Sequence, residues 1–173
     1  RWPGSALDLE PLAQREVMAQ WSEQLQHSLN DGVYRCGFAR NQTAYERAEV
    51  ALFEALEAVE RSLASGGPWL CGEALTLADV RLFPTLIRWE QVYAPLFGCS
   101  RQPLWCFPSV WRWRARFLAL PGVLQTCDPL AWRRDYFGAL FPLRPSALVP
   151  AGPVDGTALQ QLVQLNPPTR MEK

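Results

Sequence analysis

Apolar residues recur at the spacing of an α-helix in every long periodic stretch of this 173-residue chain. The first stretch runs from about Pro11 to Leu29, and Asp8 is its predicted N-cap. Its apolar stripe consists of Val17, Trp21, Leu25 and Leu29. The run Asn30-Asp31-Gly32 follows and is expected to break the helix.

The second helix is predicted to begin at a capping box formed by Thr43 and Glu46 and to end at Gly66-Gly67. One face is apolar and consists of Ala48, Leu52, Ala55, Leu56, Val59 and Leu63. The acidic residues lie mostly opposite: Glu46, Glu49, Glu54, Glu57 and Glu60. We interpret this acidic run as a solvated helix face, with a favourable i,i+4 pair between Glu57 and Arg61.

A third helix begins where Thr76 and Asp79 have the spacing of a capping box, flanked by Leu75 and Val80 as a hydrophobic staple. The run that follows to Ile87 has almost no polar face, which is typical of a central, buried helix. Two shorter helices are expected after a loop, one starting at Pro108 and one at Asp128-Pro129. No strand alternation is present, so the sequence predicts an all-α fold.

Residues 8–141 are therefore predicted to form one helical domain. Residues 1–7 are interpreted as the remnant of an interdomain linker. Residues 142–173 are rich in Pro, Gly and Ala and are expected to be extended and irregular, with a loose helical turn between residues 159 and 165.

Charge and cysteine content argue against nucleic-acid-binding, membrane-surface and metal-binding classes of protein. The chain has 17 Lys and Arg against 17 Asp and Glu, so it lacks the basic excess of nucleic-acid or membrane-surface proteins. No run of about 18 apolar residues occurs. Five cysteines without a Cys-x-x-Cys pattern, and one histidine, indicate reduced thiols in a cytoplasmic protein and no metal site.

Two features of the sequence, a basic aromatic run and a cysteine, could be functional, but we interpret both as structural. The run Trp111–Arg116 interleaves aromatic and basic residues, as single-strand-binding surfaces do. Helical spacing, however, turns Trp113 and Phe117 inward and leaves Arg112 and Arg116 on an outer face. Cys36 is interpreted as a structural thiol.

The segment Thr76-Leu77-Ala78-Asp79, ahead of a buried helix, resembles the start of the central helix in the C-terminal domain of glutathione transferases. Five ordered blocks are similar to the glutathionyl-hydroquinone reductases, the xi class of that family: residues 30–39, 75–89, 121–123, 134–137 and 149–153. The resemblance implies a glutathione S-transferase C-terminal-like helical bundle.

It also implies a reaction and partners. Family enzymes carry a thioredoxin-like N-terminal domain that binds glutathione as co-substrate and supplies a cysteine within Cys-Pro-Trp. That motif does not occur in this chain, so the chain is expected to lack this domain, and whether it is an enzyme by itself is left open. The helical domain of the family lines the pocket for a quinone-type electrophile and contributes to a homodimer interface.

The resemblance assigns roles to three tyrosines. Tyr34 matches the proposed proton donor, while Tyr93 and Tyr136 match pocket tyrosines that hydrogen-bond the substrate. A phenol, with an ordinary pKa of about 10, holds its proton at neutral pH and can donate it. The alternatives are amphipathic tyrosines at the edge of a core, and a chain that serves as a non-catalytic interaction or dimerisation module.

Overall fold

The computed structural model describes residues 7–139 and Leu148. The predictions for residues 1–6, 140–147 and 149–173 lie outside the described residues. They include most of the linker, the irregular tail, the helical turn at 159–165 and the resemblance at 149–153.

All regular secondary-structure elements of the described residues are helices. Seven α-helices occur in this part: α1 (Arg15–Gln24), α2 (Gly32–Gly37), α3 (Gln42–Ser65), α4 (Leu77–Ile87), α5 (Ala94–Phe97), α6 (Pro108–Leu118) and α7 (Pro129–Ala139). Two π-helical segments, Leu25–Asn30 and Trp89–Tyr93, connect α1 toward α2 and α4 to α5. Short 3₁₀ turns lie at Leu12–Gln14, Leu104–Cys106 and Leu124–Thr126. The all-α prediction is confirmed, and no β-strand occurs among residues 7–139.

The predicted break after the first helix occurs, but it is shorter than expected. The chain stays helical through Asn30, and Gly32 is the first residue of α2, so only Asp31 interrupts it. A Cβ at Gly32 would lie 3.2 Å from Cδ1 of Leu52, which shows that this glycine permits close packing of α2 against α3.

The start of the first helix also differs from the prediction. The Asp8 carboxylate accepts the backbone N–H of Glu10 at 3.1 Å, in a local turn ahead of the helix, and is therefore not its N-cap. Val17 is 44% exposed, whereas Leu25 and Leu29 are fully buried. The predicted stripe is thus confirmed only in its C-terminal half.

Helix α3 begins at a different cap from the predicted one. Asn41 has an extended backbone, and its side-chain oxygen accepts the N–H of Ala44 at 2.9 Å. Thr43 and Glu46 lie inside the helix, so the predicted box between them is wrong. The apolar face is confirmed, since Leu52, Ala55, Leu56, Val59 and Leu63 are all buried.

The acidic run on α3 is only partly a solvated face. Glu60 accepts the backbone N–H groups of Ser109 at 2.9 Å and Val110 at 2.8 Å, and so caps the first turn of α6. Glu49 forms an ion pair of 3.0 Å with Arg101. These two carboxylates therefore connect distant parts of the fold.

Helix α4 is buried at the centre of the domain. Its capping box joins Thr76 and Asp79, and the Asp79 carboxylate accepts the Thr76 backbone N–H and hydroxyl, each at 3.0 Å. The same carboxylate accepts the N–H of Leu70 at 2.9 Å and the indole N–H of Trp113 at 2.8 Å. Asp79 is fully buried, so it connects α4 to α6 and to the preceding loop without help from water.

Aromatic packing completes the core around α4. Phe83 stacks on Phe117 of α6 with ring centroids 4.1 Å apart, and Trp89 and Trp113 are almost completely buried. Within residues 7–139, no helix is long and apolar enough to cross a membrane.

Replacing Asp79 with Ala is expected to destabilise the domain strongly. The change leaves the N–H groups of Leu70, Thr76 and Trp113 buried without their acceptor, at about 1–3 kcal/mol for each such group. We expect urea unfolding to report a loss of at least about 3 kcal/mol. The matched control Asp135→Ala removes an exposed carboxylate and should change stability by less than about 1 kcal/mol. Similar losses in both variants would contradict the central role of Asp79.

Candidate active site

Three tyrosine hydroxyls from separate elements meet at one point. Tyr34 lies on α2, Tyr93 ends the second π-helical segment, and Tyr136 lies on α7. The Tyr136 hydroxyl oxygen is 2.9 Å from that of Tyr34 and 3.1 Å from that of Tyr93. The structure therefore brings together the three tyrosines singled out in the sequence, with Tyr136 as the bridge.

One phenylalanine supports this tyrosine triad (Tyr34, Tyr93, Tyr136). The Phe97 ring packs at 5.2 Å from Tyr34, 5.6 Å from Tyr93 and 6.4 Å from Tyr136. A Cβ at Gly37 would come within 2.4 Å of that ring, so the absence of a side chain at position 37 is what lets Phe97 lie there. Phe97 was not singled out in the sequence, where it reads as one more apolar residue before a loop.

The three phenols differ in access to solvent. Tyr34 is 38% exposed, whereas Tyr93 is 2% exposed and lies at the base of the triad. Burial, together with the neighbouring phenol of Tyr136, raises the pKa of both Tyr34 and Tyr93. Both are therefore protonated at neutral pH. Tyr136 is half-buried, so Tyr34 is the most exposed of the three.

A partly buried ion pair fixes the π-helical segment that carries Tyr93. The guanidinium Nη1 of Arg114 donates to both carboxylate oxygens of Glu90, at 2.7 and 2.9 Å, and to the carbonyl of Leu86 at 3.0 Å. Arg114 is completely buried and its guanidinium lies 4.6 Å from the centre of the Trp111 ring. The pair thus joins α6 to the turn on which Tyr93 is placed.

The neighbouring turn residues attach α7 to the same segment. Arg133 donates to the side-chain oxygen of Gln91 at 2.7 Å, and the Arg88 guanidinium lies 5.4 Å from the Trp132 ring. The carboxylate of Asp128 accepts the N–H of Ala131 and caps α7, as the sequence predicts. These contacts bring Tyr136 to Tyr93.

The basic, aromatic run on α6 is not an exposed surface. Trp113 is fully buried and Trp111 is 5% exposed, so neither ring is free to stack on a nucleic-acid base. Arg116 donates to the carbonyl of Pro68. The inward position of Trp113 agrees with helical spacing, but the burial of Arg114 was not foreseen.

Cys36 lies on α2, two residues after Tyr34, and is buried. It is 3% exposed, and a hydrogen bond from the fully buried Cys99 lowers its pKa. The Cys99 thiol also points at the carbonyl of Val33, at 3.9 Å. Across residues 7–139, no group of three His, Cys, Asp or Glu side chains is placed to hold a metal ion.

Comparison with known proteins gives a consistent assignment. The family described as glutathione S-transferase, C-terminal domain, matches residues 42–116. The chain is 35% identical over 146 residues to glutathionyl-hydroquinone reductase PcpF of Sphingobium chlorophenolicum, covering 84% of this chain and 46% of PcpF.

Solved structures agree with the sequence match. Glutathione-bound YqjG from Escherichia coli K-12, a glutathione transferase homologue, superimposes with a TM-score of 0.82 at 30% identity, covering 86% of this chain and 48% of YqjG. The Xi glutathione S-transferase of Phanerochaete chrysosporium gives 0.81 at 34% identity, covering 86% and 50%.

This chain has the fold of a glutathione S-transferase C-terminal domain, and its residues 42–116 match that family. It spans about half the length of the relatives that it matches, and corresponds to their C-terminal part. The predicted bundle type and family are thereby confirmed.

Alkaline pH should lower the free energy of unfolding of this helical domain, because the buried phenol of Tyr93 resists deprotonation in the fold. An unfolded phenol loses its proton near pH 10, whereas burial raises the pKa of Tyr93 in the fold. Stability from the protonated phenol is therefore complete below about pH 10 and is lost as pH rises toward the folded-state pKa. We expect the free energy of unfolding in urea to fall above pH 10, at up to about 1.4 kcal/mol per pH unit for this one group.

The control for this measurement is the pH profile of the Tyr93→Phe variant. The difference between its pH profile and that of the unchanged chain isolates the phenol, because the buried thiols contribute equally to both. Parallel profiles above pH 10 would contradict a buried, proton-retaining Tyr93.

Proposed function

We propose that this domain forms the electrophile pocket of an enzyme that reduces glutathionyl-hydroquinones with glutathione. The observation that carries the proposal is the triad of hydrogen-bonded phenols, in which the exposed Tyr34 contacts the half-buried Tyr136 and Tyr136 contacts the buried Tyr93. The names of the relatives PcpF and YqjG, both glutathionyl-hydroquinone reductases, support the reaction class.

Tyr34 is proposed as the proton donor. In the reaction a cysteine thiolate attacks the sulfur of the glutathionyl group, and the bond between that sulfur and the aromatic carbon breaks. The electron pair remains on the carbon, which takes a proton from a nearby acid. Tyr34 suits this step because it is exposed and because a phenol is protonated at neutral pH.

Tyr136 and Tyr93 are proposed to support that transfer. The Tyr136 hydroxyl is within hydrogen-bond distance of both other phenols, so it can donate to the oxygen of Tyr34 as that oxygen gains charge. Tyr93, at the buried end, fixes the orientation of Tyr136. A hydroxyl of the triad that turns outward can also bind a quinol oxygen.

The thiolate in this proposal belongs to a thioredoxin-like domain of the kind that the family carries. Its attack leaves a mixed disulfide with glutathione, and a second glutathione thiolate releases glutathione disulfide and restores the cysteine. Glutathione is thus the co-substrate. The homodimer, the cytoplasmic location and the division into residues 8–141 and two flanking segments stay predictions.

A non-catalytic interaction module is the second candidate. It is favoured by the buried state of Cys36 and Cys99, which leaves the described residues without a reachable thiol beside the triad. In that case the phenols serve only packing.

The deciding experiment measures glutathione-dependent reduction of a glutathionyl-hydroquinone by the protein translated from the whole reading frame. We expect turnover, and we expect Tyr34→Phe to lower kcat by about 10²-fold, the lower end of what general acid catalysis contributes. The Phe variant keeps the ring contacts with Phe97, so stability should change little.

Tyr45→Phe is the matched control. Its hydroxyl donates to the carbonyl of Gly98 at 2.6 Å, outside the triad, so kcat should be unchanged. Turnover that is insensitive to Tyr34→Phe would refute the proposed donor, and absence of turnover would favour the interaction module.

A further inference from the structure

An open groove of about 810 Å³ runs between α2 and α3, within the size range of small-molecule sites. One side carries the rings of Tyr34 and of Phe38, which are 38% and 45% exposed. The other side is a stripe of small residues at helical spacing: Ala44, Ala48 and Ala51. Two exposed rings and a row of alanine methyl groups in one groove suit a planar aromatic molecule.

The groove also carries uncompensated positive charge. Arg35 and Arg47 line it, and in the part of the chain that the structure describes neither forms an ion pair with a carboxylate. Arg35 instead donates to Nδ1 of His27 at 3.1 Å. The acidic residue of the groove, Asp31, accepts a hydrogen bond from Gln26 at 2.8 Å, which leaves a net formal charge of +1.

We propose that this groove binds planar aromatic molecules that carry a carboxylate or a similar anionic group. The ring lies between the aromatic pair and the alanine stripe, and the anion binds the guanidinium groups of Arg35 and Arg47. Arginine suits this role because its planar fork matches a carboxylate and stacks on rings. Such a molecule rests against Tyr34, the exposed phenol of the triad.

The groove adds a substrate class to the proposed function. It rests on that function only where it assumes that Tyr34 is the proton donor. If Tyr34 donates the proton, then a ring held in this groove is beside the reacting centre. Arg35 and Arg47 then determine specificity for anionic aromatic substrates and have no part in the chemistry.

Isothermal titration calorimetry on this chain, without glutathione, tests the site with 2-naphthoate and its neutral counterpart 2-naphthamide. We expect 2-naphthoate to bind more tightly. Arg35→Ala and Arg47→Ala should each weaken 2-naphthoate about three- to fivefold, the scale of an exposed ion pair, and leave 2-naphthamide unchanged. Ala51→Leu, which fills the groove, should weaken both.

Arg61→Ala is the matched control, because Arg61 lies on the same helix, is exposed, and is outside the groove. It should leave both affinities unchanged. Equal affinities for the two ligands, or equal losses in Arg47→Ala and Arg61→Ala, would overturn anion recognition. Sedimentation on the same samples adds another outcome: a dimer that Ala51→Leu dissociates would assign the groove to a second copy of the chain and overturn the proposal.

The titration involves no turnover, so it separates the two proposals. Selective 2-naphthoate binding with a turnover that ignores Tyr34→Phe would keep the site and refute the proton donor. Turnover that depends on Tyr34, without ligand binding in the groove, would keep the proton donor and refute the site.

Discussion

The buried carboxylate of Asp79 is the contact on which the remaining structure depends. It accepts hydrogen bonds from the start of its own helix, from the backbone of Leu70 and from the indole of Trp113. A buried carboxylate in that position is stabilised by the four hydrogen bonds that it accepts. Since α4 leads directly into the π-helical segment that ends at Tyr93, the placement of the triad begins with this capping contact.

The candidate site is likewise held by polar side chains that connect separate helices. The completely buried Arg114 holds Glu90, and Arg133 holds Gln91, so two helices act on one irregular turn. A π-helical turn admits one more residue than an α-helical turn and shifts the direction of the side chains that follow. That shift is what lets Tyr93 face Tyr136 and the α2 residue Tyr34, with Phe97 beneath them.

Some predictions succeeded because they depended on local chemistry alone. The capping positions at Thr76 and Asp128, the Pro108 start of α6 and the buried face of α3 all follow from residues within one or two turns of each other. Others held only in part, where a distant residue intervened. Gly32 reads locally as a helix breaker, yet it serves the approach of Leu52, and Glu60 reads as a solvated residue, yet it caps α6.

The helical class, the main core faces and the family resemblance follow from the amino-acid sequence alone, because periodicity, caps and ordered motifs are local properties of the chain. The sequence also nominated the three tyrosines, through resemblance. Three further facts are visible only in the folded chain. The Tyr136 hydroxyl lies 2.9 Å from that of Tyr34 and 3.1 Å from that of Tyr93. Arg114 is buried, and two arginines line a groove beside Tyr34. Those facts depend on how separate helices pack, and the pairing of residues far apart in the chain leaves no periodic signal along it.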